Sequence, residues 1–359
     1  MKPARPIIVL AGALLLAASA QAQTAITPPA AEKPAESKPT KTETRHKPFA
    51  TKKTAGPAAP AAPKPSPSPA SPTPPASPVP DNPNVDLVYG AYQRGQYKTA
   101  LDLAAARAQT GDTKAMTMLG ELYANALGVK RDYAKAIDWY KRASDGGDRE
   151  AMFALAMMRL AGRGGPVDRD AAVRLLASAA KLGEPKAAYN LALLYIDGQT
   201  LPQDLKRAAE LLRVAADAGN PEAQYALATF YKEGTGVEKD PEKAVRLLQA
   251  ASLADNVDAE VEYAIALFNG TGTPKNQAAA VALLRKAARQ NSPIAQNRLA
   301  RVLIYGMGAP VDKIEGLKWH LVAKTAGKGD PELDEEFAKL TPAERAKVDE
   351  SARHWLGTK

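Results

Sequence analysis

The chain contains no cysteine. That excludes a disulfide framework, a thiolate metal site and a lipid-bearing cysteine behind an export signal, so oxidising surroundings are tolerated and not exploited. Histidine is nearly as scarce: only His46, His320 and His354 exist. One lies far from the other two in sequence, and no metal trio can form. Neither a G-x-S-x-G elbow nor a phosphate-cradling glycine loop ending in Lys-Ser or Lys-Thr occurs. The expectation is a non-enzymatic protein with no cofactor and no metal. Long apolar runs are missing too. The one from Ile7 to Ala18 falls short of the about 20 residues a spanning helix needs, so no membrane span is expected in the mature chain.

That run has a different use. Lys2 and Arg5 precede it and Ala20-Gln21-Ala22 follow it, which predicts a secretory signal peptide over 1–22, cleaved near Ala22. An uncleaved anchor is the alternative. The signal looks bacterial, which places the protein in the periplasm first and fully secreted second. Residues 23–83 are almost entirely Pro, Ala, Ser, Thr and Lys, with Phe49 as the single aromatic. Such a composition cannot build a core and reads as a disordered, semi-stiff spacer. Residues 1–82 carry ten Lys and Arg against four Asp and Glu, a balance of +6 within a chain total of +9. The basicity is therefore mostly outside the remaining chain. A nucleic-acid partner is not expected, while the basic spacer allows weak contact with anionic envelope polymers.

From there on the sequence is periodic. Alanine returns every 36 residues at Ala115, Ala151, Ala187, Ala223, Ala259 and Ala295. With that Ala as position zero, position four is Leu in five copies and Tyr263 in the other, and position five is Gly120 or Ala. Position 28 is Ala143, Ala179, Ala215, Ala251, Ala287 and Ala323. A period of this size signals a solenoid. The predicted fold is all-α, a right-handed α-solenoid of antiparallel helix hairpins with six repeats over 115–330. A partial repeat at 84–114 and capping helices at 331–359 are expected to seal its ends.

Each unit carries its own helix punctuation. Position 33 is Asp148, Glu184, Asn220, Asn256, Ser292 and Lys328, followed in three copies by Pro185, Pro221 and Pro293, which predicts the start of a first helix. Positions zero, four, seven and eight share its inner face, and it stops at Gly162, Gly198, Gly234, Gly270 and Gly306. Position 17 is Asp132, Asp168, Asp204, Asp240, Asn276 and Asp312, a cap for the second helix and not a catalytic series. The acidic run Asp330, Glu332, Asp334, Glu335 and Glu336 lacks calcium-loop spacing and reads as an acidic helix start.

The segments LGELYANALGVKRDYAKAIDWYKRASDGG and YKEGTGVEKDPEKA resemble Sel-1-like repeats, relatives of the tetratricopeptide family, and the resemblance covers roughly 87–330. Arg159, DGQTLPQD at 197–204 and TPKNQ at 273–277 depart from the pattern and reshape loops. Some bacterial members are disulfide-stapled, and this one cannot be. The resemblance implies an adaptor or regulator that binds other proteins, among them periplasmic partners of sensor kinases, envelope-assembly factors and secreted host-contact factors.

On the first helix the 100° step per residue places positions two, three, six, nine and ten opposite the inner face, an arc expected to line the concave groove of a right-handed stack. The candidate protein-binding residues there are Phe153, Tyr189, Asn190, Asp197, Tyr225, Ile265, Phe268, Asn269, Arg298, Arg301 and Tyr305. They are more apolar and aromatic than a solvated face requires, which suits an extended peptide or amphipathic helix. Arg298 and Arg301, one turn apart, could receive a carboxylate. Two alternatives stand beside this reading: positions two and nine pack between neighbouring repeats, or Tyr189, Tyr225 and Tyr305 serve as platforms for peptidoglycan or exopolysaccharide.

Overall fold

The computed structural model describes residues 86–357; the expected signal peptide and spacer lie outside the described residues. Among them are sixteen helices and no strand. Two short helices come first, α1 (Leu87–Gln93) and α2 (Tyr97–Ala108). Six hairpins follow: α3 (Thr113–Asn125) with α4 (Tyr133–Asp145), α5 (Arg149–Ala161) with α6 (Arg169–Lys181), and α7 (Pro185–Asp197) with α8 (Leu205–Asp217). The next three are α9 (Pro221–Glu233) with α10 (Pro241–Leu253), α11 (Val257–Asn269) with α12 (Gln277–Arg289), and α13 (Pro293–Tyr305) with α14 (Lys313–Thr325). The last two helices are α15 (Pro331–Ala338) and α16 (Pro342–Leu356). Through the hairpins each helix packs on the one before and the one after, and α16 packs on α14. The architecture is an all-α solenoid.

Local chemistry sets the helix bounds. The position-17 side chains all cap second helices, each accepting the amide three residues on at 2.9–3.0 Å. Their own amides donate to the position-eight carbonyls at 2.8–3.2 Å, which closes every inter-helix loop on its first helix. Five of the first helices end on a left-handed Gly, but the first repeat ends on Ala126 at φ +60. Asp255 and Asn291 likewise hold a positive φ after α10 and α12, where other repeats use Gly147, Gly183, Gly219 and Gly327.

Small residues set the spacing between helices. The six position-28 alanines are all fully buried. Position five is buried in every repeat as well, so it belongs to the core with positions zero and four. Position eight departs from expectation: Tyr123, Arg159 and Tyr195 are only half-buried, while Tyr231, Leu267 and Leu303 are buried. The inner arc is centred closer to position five, where the second helix leans on the first. A Cβ on Gly120 would stand 2.6 Å from the Tyr140 ring, which explains why the repeat with Tyr in place of Leu at that point has Gly in place of Ala. In the last repeat Gly316 yields in the same way to Ile304, 2.7 Å from where its Cβ would be.

At the amino end Val88, Ala104 and Ala108 cluster with Ala115 and Leu119. At the other end Val348 and Ala352 are buried and Trp355 meets Trp319 edge-on at 4.8 Å. Thr341 and Glu344 form a capping box at the start of α16. Lys328 does not begin a helix, contrary to the period. Lys cannot accept the amide bonds a cap requires, and the start slips two residues to Asp330, followed by Pro331.

Candidate functional site

The outward arc of the first helices is where the candidate residues gather. Phe153 is half-buried against the cluster of Ala156 and Leu176. Tyr189 and Tyr225 are half-buried against the next cluster along the chain. Each is wedged between repeats on one side and open on the other, so packing and exposure coexist. Ile265 is half-buried, and so are Asn190, whose amide donates to the Lys186 carbonyl at 2.8 Å, and Asp197 at the end of α7. Asn269 is exposed at the end of α11. Two candidates are withdrawn from the surface: Phe268 is 6% exposed and Arg298 8%. Both are buried, and Phe268 is core here, not an anchor.

Arg301 does receive a carboxylate, but it comes from the same chain. Arg301 bonds Asp330 through Nε at 2.5 Å and a second nitrogen at 3.1 Å, and reaches Glu332 at 2.7 Å. Burial opposes ionisation of Asp330, yet Arg301 outweighs it and holds the carboxyl below its ordinary range. Tyr305 is 38% exposed beside them, its hydroxyl pushed up by burial and by Glu332. Of the other acids of this run, Asp334 pairs with Lys324 and His320, and Glu336 with Lys313 and Lys339. No group of three or more His, Asp or Glu among the described residues could hold a metal ion. His320 is fully buried; its Nε2 meets Asp334 at 2.8 Å, and its Nδ1 has no partner, so it is only half satisfied.

Sequence reasoning missed the residue just before position zero. It lies at nearly the same helical angle as position six, but counting forward from the alanine hides it. In the fourth and fifth repeats it is Glu222 and Asp258, both exposed. Glu222 acts electrostatically on Tyr189, and Glu262, Asp258 and Glu233 on Tyr225. Burial first and these carboxylates second push both phenols above their ordinary value. Lys232 crosses from the fourth repeat to Glu262 at 2.9 Å.

The fold and this face define a class, an α-solenoid that presents one helix of every hairpin along an extended surface. Sel1 repeat profiles match residues 113–148, 149–184, 185–220, 221–256, 257–292 and 293–328. These units cover more than half of the chain, and the chain belongs to the Sel1 repeat family. Among solved structures it is similar to a protective antigen present in uropathogenic Escherichia coli strains that displays an SLR fold, with 27% identity and a TM-score of 0.65. That match covers 76% of this chain and 59% of the antigen's, so the chain spans less than two thirds of the antigen's length. A Sel1 repeat protein from Oxalobacter formigenes shares the fold at 24% identity and a TM-score of 0.57, over 66% of this chain and 94% of its own. No curated protein matches this chain. Sel1 repeats form a non-catalytic scaffold that typically serves protein interaction.

Proposed function

We propose that the protein is a non-enzymatic scaffold or regulator exported to the bacterial cell envelope, where it holds a segment of a partner protein along the outward arc of its first helices. The observation that carries this reading is the row of half-buried Tyr189, Tyr225 and Ile265, the two tyrosines packed against the core, flanked by Asn190 and Asn269. Half-open aromatic and aliphatic side chains provide apolar contact area, and amides beside them can bond an extended backbone. Export is supported by Lys2, Arg5 and the apolar run before Ala20-Gln21-Ala22.

Affinity purification from envelope extract, with purified cell wall as a parallel sample, tests the reading. The bait is the full chain against its Asn190→Met, Asn269→Met variant, which adds bulk to the face without charge. The expected result is a protein retained by the first and lost by the second at equal melting temperature. Retention by both, or recovery of cell wall alone, overturns the binding face. Intact-mass measurement of the fractionated protein should place the mature amino terminus near Gln23; an uncleaved chain in the cytoplasmic fraction overturns export.

A further inference from the structure

The carboxyl-terminal end of the outward arc is occupied by the chain itself. In the earlier repeats each second helix packs on the first helix of the next repeat; after α14 that place is taken by α16, and α15 touches α14 only slightly. The helix α15 is therefore left out of the stack. Its one buried side chain is Leu333. Its 8 residues fall short of the about 12–15 that an isolated helix needs to persist.

What ties α15 down is charge. Asp330 and Glu332 meet Arg301 of α13 at 2.5 and 2.7 Å, Asp334 meets His320 and Lys324 of α14 at 2.8 and 2.7 Å, and Glu336 meets Lys313 at 3.6 Å. Asn297 donates to the Lys328 carbonyl at 3.4 Å, and Arg345 of α16 donates to the Ala338 carbonyl at 3.1 Å and stands over the Phe337 ring. Beyond Asp330, every one of these ion pairs has a side chain at least 43% exposed. Exposed pairs add little to stability and weaken with salt. Gly327 and Gly329 precede the strap and give its backbone room to swing, while α16 is anchored separately through Val348, Ala352 and the Trp355–Trp319 contact. With α15 lifted, Arg301, Lys313 and Lys324 lose their α15 carboxylates together, one turn from Tyr305 of the arc.

Resting on the reading of the arc as a binding face, we infer that the last repeat is the docking point for an acidic segment of the partner protein, and that α15 is its built-in competitor. The carboxylates of Asp330, Glu332, Asp334 and Glu336 hold the place of the partner's. The segment that fits carries Asp or Glu at alternate positions, as the strap does, and enters as α15 leaves. A closed strap lowers the apparent affinity by the fraction of molecules that are open, so loosening it tightens binding.

Fluorescence anisotropy on the full chain tests the inference. The probes are a labelled Ala-based peptide with the pattern Asp-x-Glu-x-Asp-x-Glu and its counterpart with Asn and Gln. On the Glu332→Gln, Asp334→Asn variant, which keeps the Asp330 cap, the acidic probe should bind at least about tenfold tighter than on wild type, and adding Arg301→Gln should abolish the gain. A control with the same change in net charge, Glu210→Gln with Asp217→Asn on α8, should bind as wild type does. Amide exchange on wild type gives a readout that no variant's folding can affect: saturating acidic probe should speed exchange in α15 and leave α16 protected. Equal affinity for wild type and the strap variant, an equal gain in the control, or binding of the Asn and Gln probe as tight as the acidic one overturns the inference. Unchanged exchange in α15 at saturation also overturns it. If the probe fails while the partner lost by the Asn190→Met, Asn269→Met variant is still retained, the acidic docking point falls alone; if neither is seen, the binding face falls with it.

Discussion

Gly236 adopts φ +64 in the loop between α9 and α10, and a Cβ there would run into the Leu205 carbonyl of the preceding repeat. Strain and collision add, so Gly236→Ala should destabilise by about 2 kcal/mol or more, read as a lower urea midpoint. Gly272 meets Pro241 and Gly308 meets Gln277 in the same manner. In the third repeat Thr200 takes this place and no positive φ is needed; Thr200→Ala should leave the midpoint nearly unchanged. Ala126 is the converse case. A left-handed Ala costs about 1–2 kcal/mol, and part of the gain on relief returns as added freedom of the unfolded chain. Ala126→Gly should therefore raise stability by about 0.5–1 kcal/mol, and a lower urea midpoint would contradict the strain argument. The glycine series was readable in the sequence by period. That Ala126 would be held in the conformation its five counterparts adopt as Gly follows from the same register.

At the scale of helices, punctuation was the most legible feature, because an Asp cap bonds an amide only three residues away. What lay beyond reading were contacts that depend on where the next helix begins. Arg301 was visible as a carboxylate receptor, but its partner was not. The two-residue slip from Lys328 to Asp330 brings Asp330 and Glu332 onto it. Phe268 likewise sits on the arc by angle, yet it is buried. The Asp330 contact carries a pH signature. Its folded carboxyl titrates below the ordinary value near 3.9, so the stabilisation is present above that value and vanishes as pH falls through the folded one. Asp330→Asn keeps an able cap and removes the charge. Relative to wild type it should lose about 1 kcal/mol at pH 7 and progressively less as pH falls toward 2. Urea melts at both pH values check this, and a difference undiminished in acid would remove the ion pair from the account.

Along the whole array burial is graded. The first helices of the six repeats hold four, four, five, six, seven and eight buried residues in chain order. Repeat proteins open where intrinsic and neighbour terms are weakest. Amide exchange should therefore be fastest in α3 to α6 and slowest in α11 to α14; faster exchange in the later repeats would show that burial does not set local stability. The 36-residue period did not reveal this gradient, since the residues that create it, such as Val261, Phe268 and Ile304, break the repeat pattern.

The paired size changes have a consequence for how such a chain can be recombined. Tyr140 is accommodated by Gly120, and Ile304 by Gly316, and in both cases the two members belong to one hairpin. A crossover at a hairpin boundary transfers lock and key together. A crossover inside the hairpin parts them, setting the Tyr140 ring against a methyl group, so viable chimaeras should have their junctions at the boundaries.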